Sequence, residues 1–339
     1  MRCSGATTAR PAGIASAREA YLRATTYFRI GYYPLYGAVD PRLADALEQE
    51  CAAFQRFAAL EDRPLIAVEI PFERTTLPGY LCLVDGARRP TVLSVNGYDS
   101  NVHEVYGAHA LPALRRGYHC LIVDGPGQGR SLVQRGLAMR PDWETVLRAV
   151  VDFAVARPEV DASRLAVMGE SFGGFLAPRT VAGEPRIAAL IADPGQWDQL
   201  DQIRAALPPE LARRLPEITA DELDPLLQPL VRNAVARWKL VQRGQWVHGV
   251  DTLGKYVLEL ARYRVSDVVH QIRCPTLVAS AEGDSVSAGA DRLFEALTCP
   301  KHRVHFTSAE GTQGHCESGN RSRFNQQAYD WLDETLAAR

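Results

Sequence analysis

Gly169-Glu-Ser-Phe-Gly-Gly174 stands between the apolar run Arg164-Leu-Ala-Val-Met168 and the helix-compatible stretch Phe175-Leu-Ala-Pro-Arg-Thr-Val181. A strand that passes at once into a helix turns a tight corner. Its apex residue takes positive φ, and the residues two places to either side must be small, because strand and helix close on each other there. Gly169 and Gly173 occupy those two places, so Ser171 reads as a nucleophile presented at the corner. The same pentapeptide also serves as a plain glycine-rich turn. The nucleophile reading therefore demands a strand before it, a helix after it, an acid, a histidine and a loop able to hold an oxyanion.

The surrounding pattern supplies the strand and the helix. Short runs rich in Val, Ile, Leu and Phe predict strands over 65–72, 80–84, 91–95, 119–123, 165–168, 187–191, 276–279 and 304–306. From residue 91 onward they alternate with helical spacing over 104–115, 142–156, 172–182, 286–298 and 322–337. That alternation predicts an α/β fold, a mostly parallel sheet with helices on both faces. Residues 198–273 interrupt it with amphipathic helical stretches and no convincing strand, which predicts a helical cap inserted between two strands. Residues 16–60 carry apolar and aromatic side chains at helical spacing, with Asp40-Pro41 as a helix start. The expected organisation is an N-terminal helical extension (1–60), a core (61–197 and 274–339) and a cap (198–273).

In an open α/β sheet, functional groups project from loops at the carboxyl ends of strands. The run Pro275-Thr-Leu-Val-Ala-Ser280 ends in Ala281-Glu-Gly-Asp284, and His305-Phe-Thr-Ser308 is followed by Glu310-Gly-Thr-Gln-Gly-His315. Ser171, Asp284 and His315 thus follow the chain order serine, acid, histidine. The chemistry needs all three. A serine hydroxyl is a weak nucleophile, an imidazole must take its proton, and a carboxylate must fix the tautomer and stabilise the imidazolium. Glu282 is the rival acid, Asp284 also suits a turn or helix cap, and the other seven histidines fall in helices, strands or the cap. For the oxyanion, the Phe172 N–H follows the nucleophile at a helix start. Asn96-Gly97-Tyr98-Asp99-Ser100 places the Tyr98 N–H as the second donor, with Gly97 making room. The same loop also reads as a strand-to-helix turn with Asn101 and Glu104 as a capping box.

Composition excludes several classes of function. The 339 residues, 46% hydrophobic, suffice for one α/β domain of roughly 250 residues plus additions. A formal net charge of −2 exerts no long-range pull on nucleic acid or an anionic membrane. Seven scattered cysteines without a C-x-x-C fit reduced thiols in a cytoplasm. No apolar run approaches the ~20 residues of a membrane span. The first residues lack the apolar centre of a signal peptide and read as a frayed leader. Asp124-Gly-Pro-Gly-Gln-Gly-Arg130 lacks the ending of a P-loop and reads as a structural loop beside the site, and no metal-ligand spacing is present.

From about residue 16 to the C-terminus the chain resembles the α/β-hydrolase branch with an N-terminal helical extension that includes 2,6-dihydroxypseudooxynicotine hydrolase and fungal hydrolases that shorten polyketide pigment precursors. The matching stretches are YLRATTYFRIGYYPLYG, NGYDSNVHE, DGPGQGRS, GESFGGFLAPR, ADPGQWD, AEGDSVS and EGTQGHCESGN followed by FNQQAYDWLDETL. The resemblance implies a triad of Ser171, Asp284 and His315, an active site between core and cap, a homodimer formed through the N-terminal helices, a small-molecule substrate and no cofactor or metal. It also implies cleavage of a carbon–carbon bond next to a ketone, in a β-diketone or aryl ketone. An additional carboxylate from the region after the nucleophile would assist, for which Asp193, Asp198 and Asp201 are the local acids. Asp198, Asp201, Trp238, Trp246 and His248 are the candidate substrate contacts, although each also suits a turn or cap packing. Two other readings stay open: an ester, thioester or amide hydrolase on the same triad, and a non-hydrolytic cyclase, dehydratase or binding protein on the same scaffold.

Overall fold

The computed structural model describes residues 13–37 and 40–337, so the expected leader lies largely outside the described residues. Eight strands form one sheet: β1 (Leu65–Phe72), β2 (Thr75–Cys82), β3 (Arg89–Val95), β4 (His119–Val123), β5 (Val160–Glu170), β6 (Ile187–Asp193), β7 (Thr276–Ala281) and β8 (Lys301–Phe306). Their order is β1-β2-β4-β3-β5-β6-β7-β8. Strand β2 runs antiparallel to both its neighbours, and every pairing from β4 to β8 is parallel. The burial patterns explain why these segments read as they do. Edge strand β1 alternates between buried and exposed residues along its second half, whereas β4, β6 and β7 are buried at every position and are mostly apolar.

Several predicted elements change extent or shape: β5 begins at Val160 rather than 165, β8 at Lys301 rather than 304, and the helix expected over 286–298 becomes a 3-10 turn (Ser285–Gly289) followed by Ala290–Ala296. Strand β2 starts at Thr75, earlier than the expected residue 80, because its hairpin partner β1 pairs back to Thr75. Pro78 is tolerated there because β4 pairs only with 79–82, so no ladder donor is missing on that side. The expected helix over 104–115 splits into Val102–Val105, a π turn at Tyr106–Ala110 and Leu111–Arg115.

One face of the sheet is covered by helices Trp143–Val155, Gly173–Val181 and Ala290–Ala296, through residues such as Leu147, Val151, Phe175 and Leu293. On the other lie the C-terminal helix Arg321–Ala337 and the extension, through Phe324, Tyr329, Leu332, Phe54 and Phe57. Each such large side chain contributes about 1.5–3 kcal/mol on burial.

The extension consists of α1 (Ile14–Tyr32) and α2 (Pro41–Leu60). Asp40 caps α2 by accepting from Arg42 N at 2.9 Å, and Pro41 occupies its first turn. A buried polar cluster fixes this extension to the core: Glu50 accepts from Tyr32 Oη at 2.5 Å and from Asn101 Nδ2 at 2.9 Å, and lies 2.9 Å from His103 Nδ1. Between β6 and β7, the chain forms helices that include Ala220–Leu227, the π-wound Trp238–Gln245, Trp246–His248 and Leu253–Leu260. They share their own apolar cluster around Leu223, Leu227, Leu253 and Val257. Among the described residues of 198–273, strand pairing is limited to one bridge between Asp198 and Arg264.

Candidate active site

Strand β5 ends at Glu170 and the next helix begins at Gly173, leaving Ser171 at the corner with φ of 57°. A non-glycine residue in the left-handed region costs of order 1–2 kcal/mol and persists only where its surroundings enforce it. Here they do so by close approach. A Cβ at Gly169 would lie 2.1 Å from the Gly173 carbonyl oxygen, and one at Gly173 would lie 2.2 Å from that of Val95. The Ser171 N–H donates to the Asp193 carbonyl at 2.7 Å, and Gln196 Nε2 donates to the Ser171 carbonyl.

His315 reaches this corner from the loop after β8, and Asp284 from the loop after β7. Ser171 Oγ and His315 Nε2 are 2.8 Å apart, and His315 Nδ1 lies 3.1 and 3.0 Å from the two Asp284 oxygens. With the proton on Nδ1, the imidazole donates to Asp284 and its Nε2 accepts from the serine. Asp284 also caps the short helix Ser285–Gly289 through the Val286 N–H at 2.9 Å, so its turn-capping and carboxylate roles coexist. The hydrogen bond that His315 donates to Asp284 raises the histidine pKa above its ordinary value, against the effect of burial. Burial alone would raise Asp284, but His315 and the Val286 N–H outweigh it and hold the carboxyl below its usual range. Glu282, the rival acid, instead accepts from Ser308 N and Oγ, each at 2.7 Å.

The loop after β3 lies against the serine: a Cβ on Gly97 would sit 3.0 Å from Ser171 Cβ. Among the described residues, neither the Tyr98 nor the Phe172 N–H donates to a backbone carbonyl. The Tyr98 ring stands edge-on to Phe172, with centroids 5.3 Å apart. The glycine-rich loop over 124–130 buttresses this segment. Gln128 Nε2 donates to the carbonyls of Asn96 (2.8 Å) and Gly97 (3.2 Å), and buried Asp124 accepts from Val102 N and Arg130 N. Asn101 caps the following helix as expected, but Glu104 turns to Arg29 at 3.4 Å rather than closing the box.

Behind the serine and histidine lies a charged cluster that sequence reasoning missed apart from Asp193. Arg321 pairs with Glu170 (3.1 Å), Glu317 (3.2 Å) and Asp193, and donates to the Cys316 carbonyl at 3.1 Å. It thereby braces the turn just after His315, where Cys316 and Glu317 both take positive φ, 50° and 51°. His109, placed by the π turn, lies 2.7 Å from both Ser94 Oγ and Glu170 Oε2. Burial opposes the charge on Glu170, but Arg321 and His109 outweigh it and hold the carboxyl down at about 2. Burial raises both Asp193 and Glu317, and the Asp193 charge raises Glu317 further, against the pull of Arg321. The available signal was polar residues at the ends of otherwise apolar strands, Ser94, Glu170 and Asp193.

Of the candidate substrate contacts, the structure brings His248 next to Tyr98, with ring centroids 5.6 Å apart. The other four are engaged elsewhere. Asp198 caps Leu200 N (2.8 Å) and pairs with Arg204 (3.2 Å), and Asp201 pairs with Arg292 (3.2 Å). Trp238 Nε1 donates to the Pro34 carbonyl (3.1 Å) with its ring against Tyr33, and Trp246 packs on Tyr36. Both tryptophans therefore pack the inserted helices on the extension, because the apolar surface of the 33–36 turn lies directly beneath them. Among the described residues, no helix is long and apolar enough to cross a membrane.

The model of the alpha/beta hydrolase family matches residues 92–317. Over 94% of its length the chain is 32% identical to hydrolase LUC6 of a Fusarium species, covering 81% of that protein. It is likewise 32% identical, with the same coverage of both chains, to the 20-hydroxy-prefusarin hydrolase FUS2 of Gibberella moniliformis. Among solved structures, 2,6-dihydroxy-pseudo-oxynicotine hydrolase superposes with a TM-score of 0.77 at 24% identity, over 96% of this chain and 82% of that one. The strand order, the serine corner and the extent of the family match lead to one conclusion: this chain belongs to the α/β-hydrolase family and is a hydrolase.

Proposed function

We propose that the protein is a serine hydrolase that cleaves a carbon–carbon bond next to a ketone, with Ser171 as nucleophile, His315 as general base and acid, and Asp284 as orienting carboxylate. The observation that carries the catalytic part is the continuous contact from Ser171 Oγ through His315 to Asp284, set on a positive-φ serine. Ser171 Oγ attacks the ketone carbon as His315 Nε2 takes its proton, and the Tyr98 and Phe172 N–H groups receive the developing oxyanion. Collapse of the tetrahedral intermediate breaks the carbon–carbon bond. The departing carbon takes the proton from His315, so it must be a stabilised carbanion such as an enolate. Water, deprotonated by His315, then releases the acyl group from Ser171.

The choice of a ketone is supported by the sequence resemblance described above and by the aromatic side chains packed around Tyr98 and Phe172. The helices over 198–273 act in this reading as the cap that selects a small-molecule substrate. Tyr27 and Ile30, 70% and 63% exposed on α1, form the face of a homodimer. We place the enzyme in the cytoplasm, where its scattered thiols stay reduced.

Intact-protein mass spectrometry after fluorophosphonate treatment tests the nucleophile. One adduct that maps to Ser171 and vanishes in Ser171→Ala is expected, whereas an unlabelled folded protein would overturn the reading. Turnover of 1-phenylbutane-1,3-dione against p-nitrophenyl esters then decides between ketone and ester cleavage.

A further inference from the structure

His248 is only 6% exposed, ends the short helix Trp246–His248, and packs against Tyr98, Tyr256 and Tyr263 at ring-centroid distances of 5.6, 5.3 and 5.1 Å. Tyr263, fully buried, packs in turn on Phe172 at 5.8 Å. His248 and Tyr263 therefore touch the side chains of both residues whose N–H groups face the proposed oxyanion. Neither His248 nitrogen has a hydrogen-bond partner among the described residues, nor does the Tyr263 hydroxyl.

A core packing role would be filled by phenylalanine without burying three unmatched polar atoms, and such atoms in a native interior call for a partner. The charge state narrows that partner. Burial, reinforced by Arg243, holds the His248 imidazole down at about 3, so near neutral pH it offers one donor and one acceptor and no charge. Arg243 is itself taken by Asp99 at 2.6 Å and stacks over Tyr98.

We propose that His248 and the Tyr263 hydroxyl form the subsite for a second, uncharged oxygen of the substrate, a keto, enol or phenol oxygen near the carbonyl that Ser171 attacks. The inference rests on the serine-hydrolase reading and narrows its substrate to compounds with two neighbouring oxygens. Such an oxygen both accepts from an imidazole or phenol and, as an enol, donates to an imidazole. A carboxylate would meet no unpaired cation in Arg243.

Two probes that differ by one oxygen test it: p-nitrophenyl acetoacetate and p-nitrophenyl butyrate. The ratio of their kcat/KM values is expected to fall roughly tenfold in His248→Phe and to stay within about threefold of wild type in His248→Gln, which keeps a donor and an acceptor. An unchanged ratio in His248→Phe overturns the proposal. A second measurement covers a variant that does not fold. In 15N-labelled Ser171→Ala protein, 1-phenylbutane-1,3-dione is added and the His248 ring resonances, assigned by their loss in His248→Gln, are followed. A shift supports the subsite, and bound dione with no shift at His248 overturns it. If wild-type Ser171 takes no fluorophosphonate, the catalytic reading fails, while the resonance shift still decides the subsite.

Discussion

Ser171 and His315 lie between two walls of opposite chemistry. Behind them, Glu170, Asp193, Glu317, Arg321 and His109 form a largely buried charged cluster. In front, Tyr98, Phe172, His248, Tyr256 and Tyr263 form an aromatic cluster, three of whose members come from the segment inserted between β6 and β7. A charged network in a low-dielectric interior tolerates few geometries, because each unmatched charge is costly. An aromatic wall repacks at much lower cost. In the proposed mechanism the back wall positions the reacting groups and the front wall selects the substrate, and the variants below test that division.

The largest effects are expected at the seam between the walls. Ser171→Ala should lower kcat/KM by about 10³-fold or more while leaving the melting temperature near that of wild type. In the wild type, kcat/KM should rise with pH as His315 loses its proton. The midpoint should lie above the ordinary histidine value, because Asp284 stabilises the imidazolium. In Asp284→Asn that midpoint should move to lower pH and the plateau should fall, and an unmoved midpoint would deny Asp284 its role.

Next comes the back wall. Arg321→Met strands Glu170, Asp193 and Glu317 without their shared cation and should destabilise the protein by about 3–5 kcal/mol in urea unfolding. Fluorophosphonate labelling of Ser171 should slow as well, since Arg321 also braces the turn after His315. Fast labelling in the destabilised variant would show that the back wall serves stability alone.

A smaller effect concerns the raised carboxyls of Asp193 and Glu317. Their carboxyls titrate above the ordinary range, so above about pH 4.5 the native state holds a proton that the unfolded chain has released. Stability therefore falls as pH rises through that window, by up to about 1.4 kcal/mol per pH unit. Glu317→Gln removes the carboxyl whose pKa is raised most and should flatten that slope in denaturation curves taken at several pH values. The smallest effect is expected for Trp238→Ala, which loosens the front wall where it docks on Tyr33 and Pro34. A KM change of a few-fold with stability altered by about 1 kcal/mol or less would fit; a large fall in kcat would assign positioning to the front wall too.

Most of the sheet was readable from short-range pattern. The runs over 65–72 and 119–123 match β1 and β4 end to end, because both are bounded by turn residues and carry uninterrupted or alternating apolar side chains. The start of β2 was hidden because Thr75-Thr-Leu-Pro78 is strand only through its pairing with β1. The docking of the two tryptophans on the 33–36 turn was not readable, because an apolar ring on a helix carries no mark of which surface it will meet.

The same division holds at the site. From sequence alone came the small residues around Ser171, the order of serine, acid and histidine, and their places after strands, since each depends on a few neighbouring residues and on the rule that strand ends carry the chemistry. Glu170, Asp193, Glu317 and Arg321 are brought together only by the strand order, which sets the ends of β5 and β6 side by side and lays the C-terminal helix beneath them. Their charges are costly to bury singly and become tolerable only as a set. That mutual dependence spans residues 170–321, and no local window of the chain contains it.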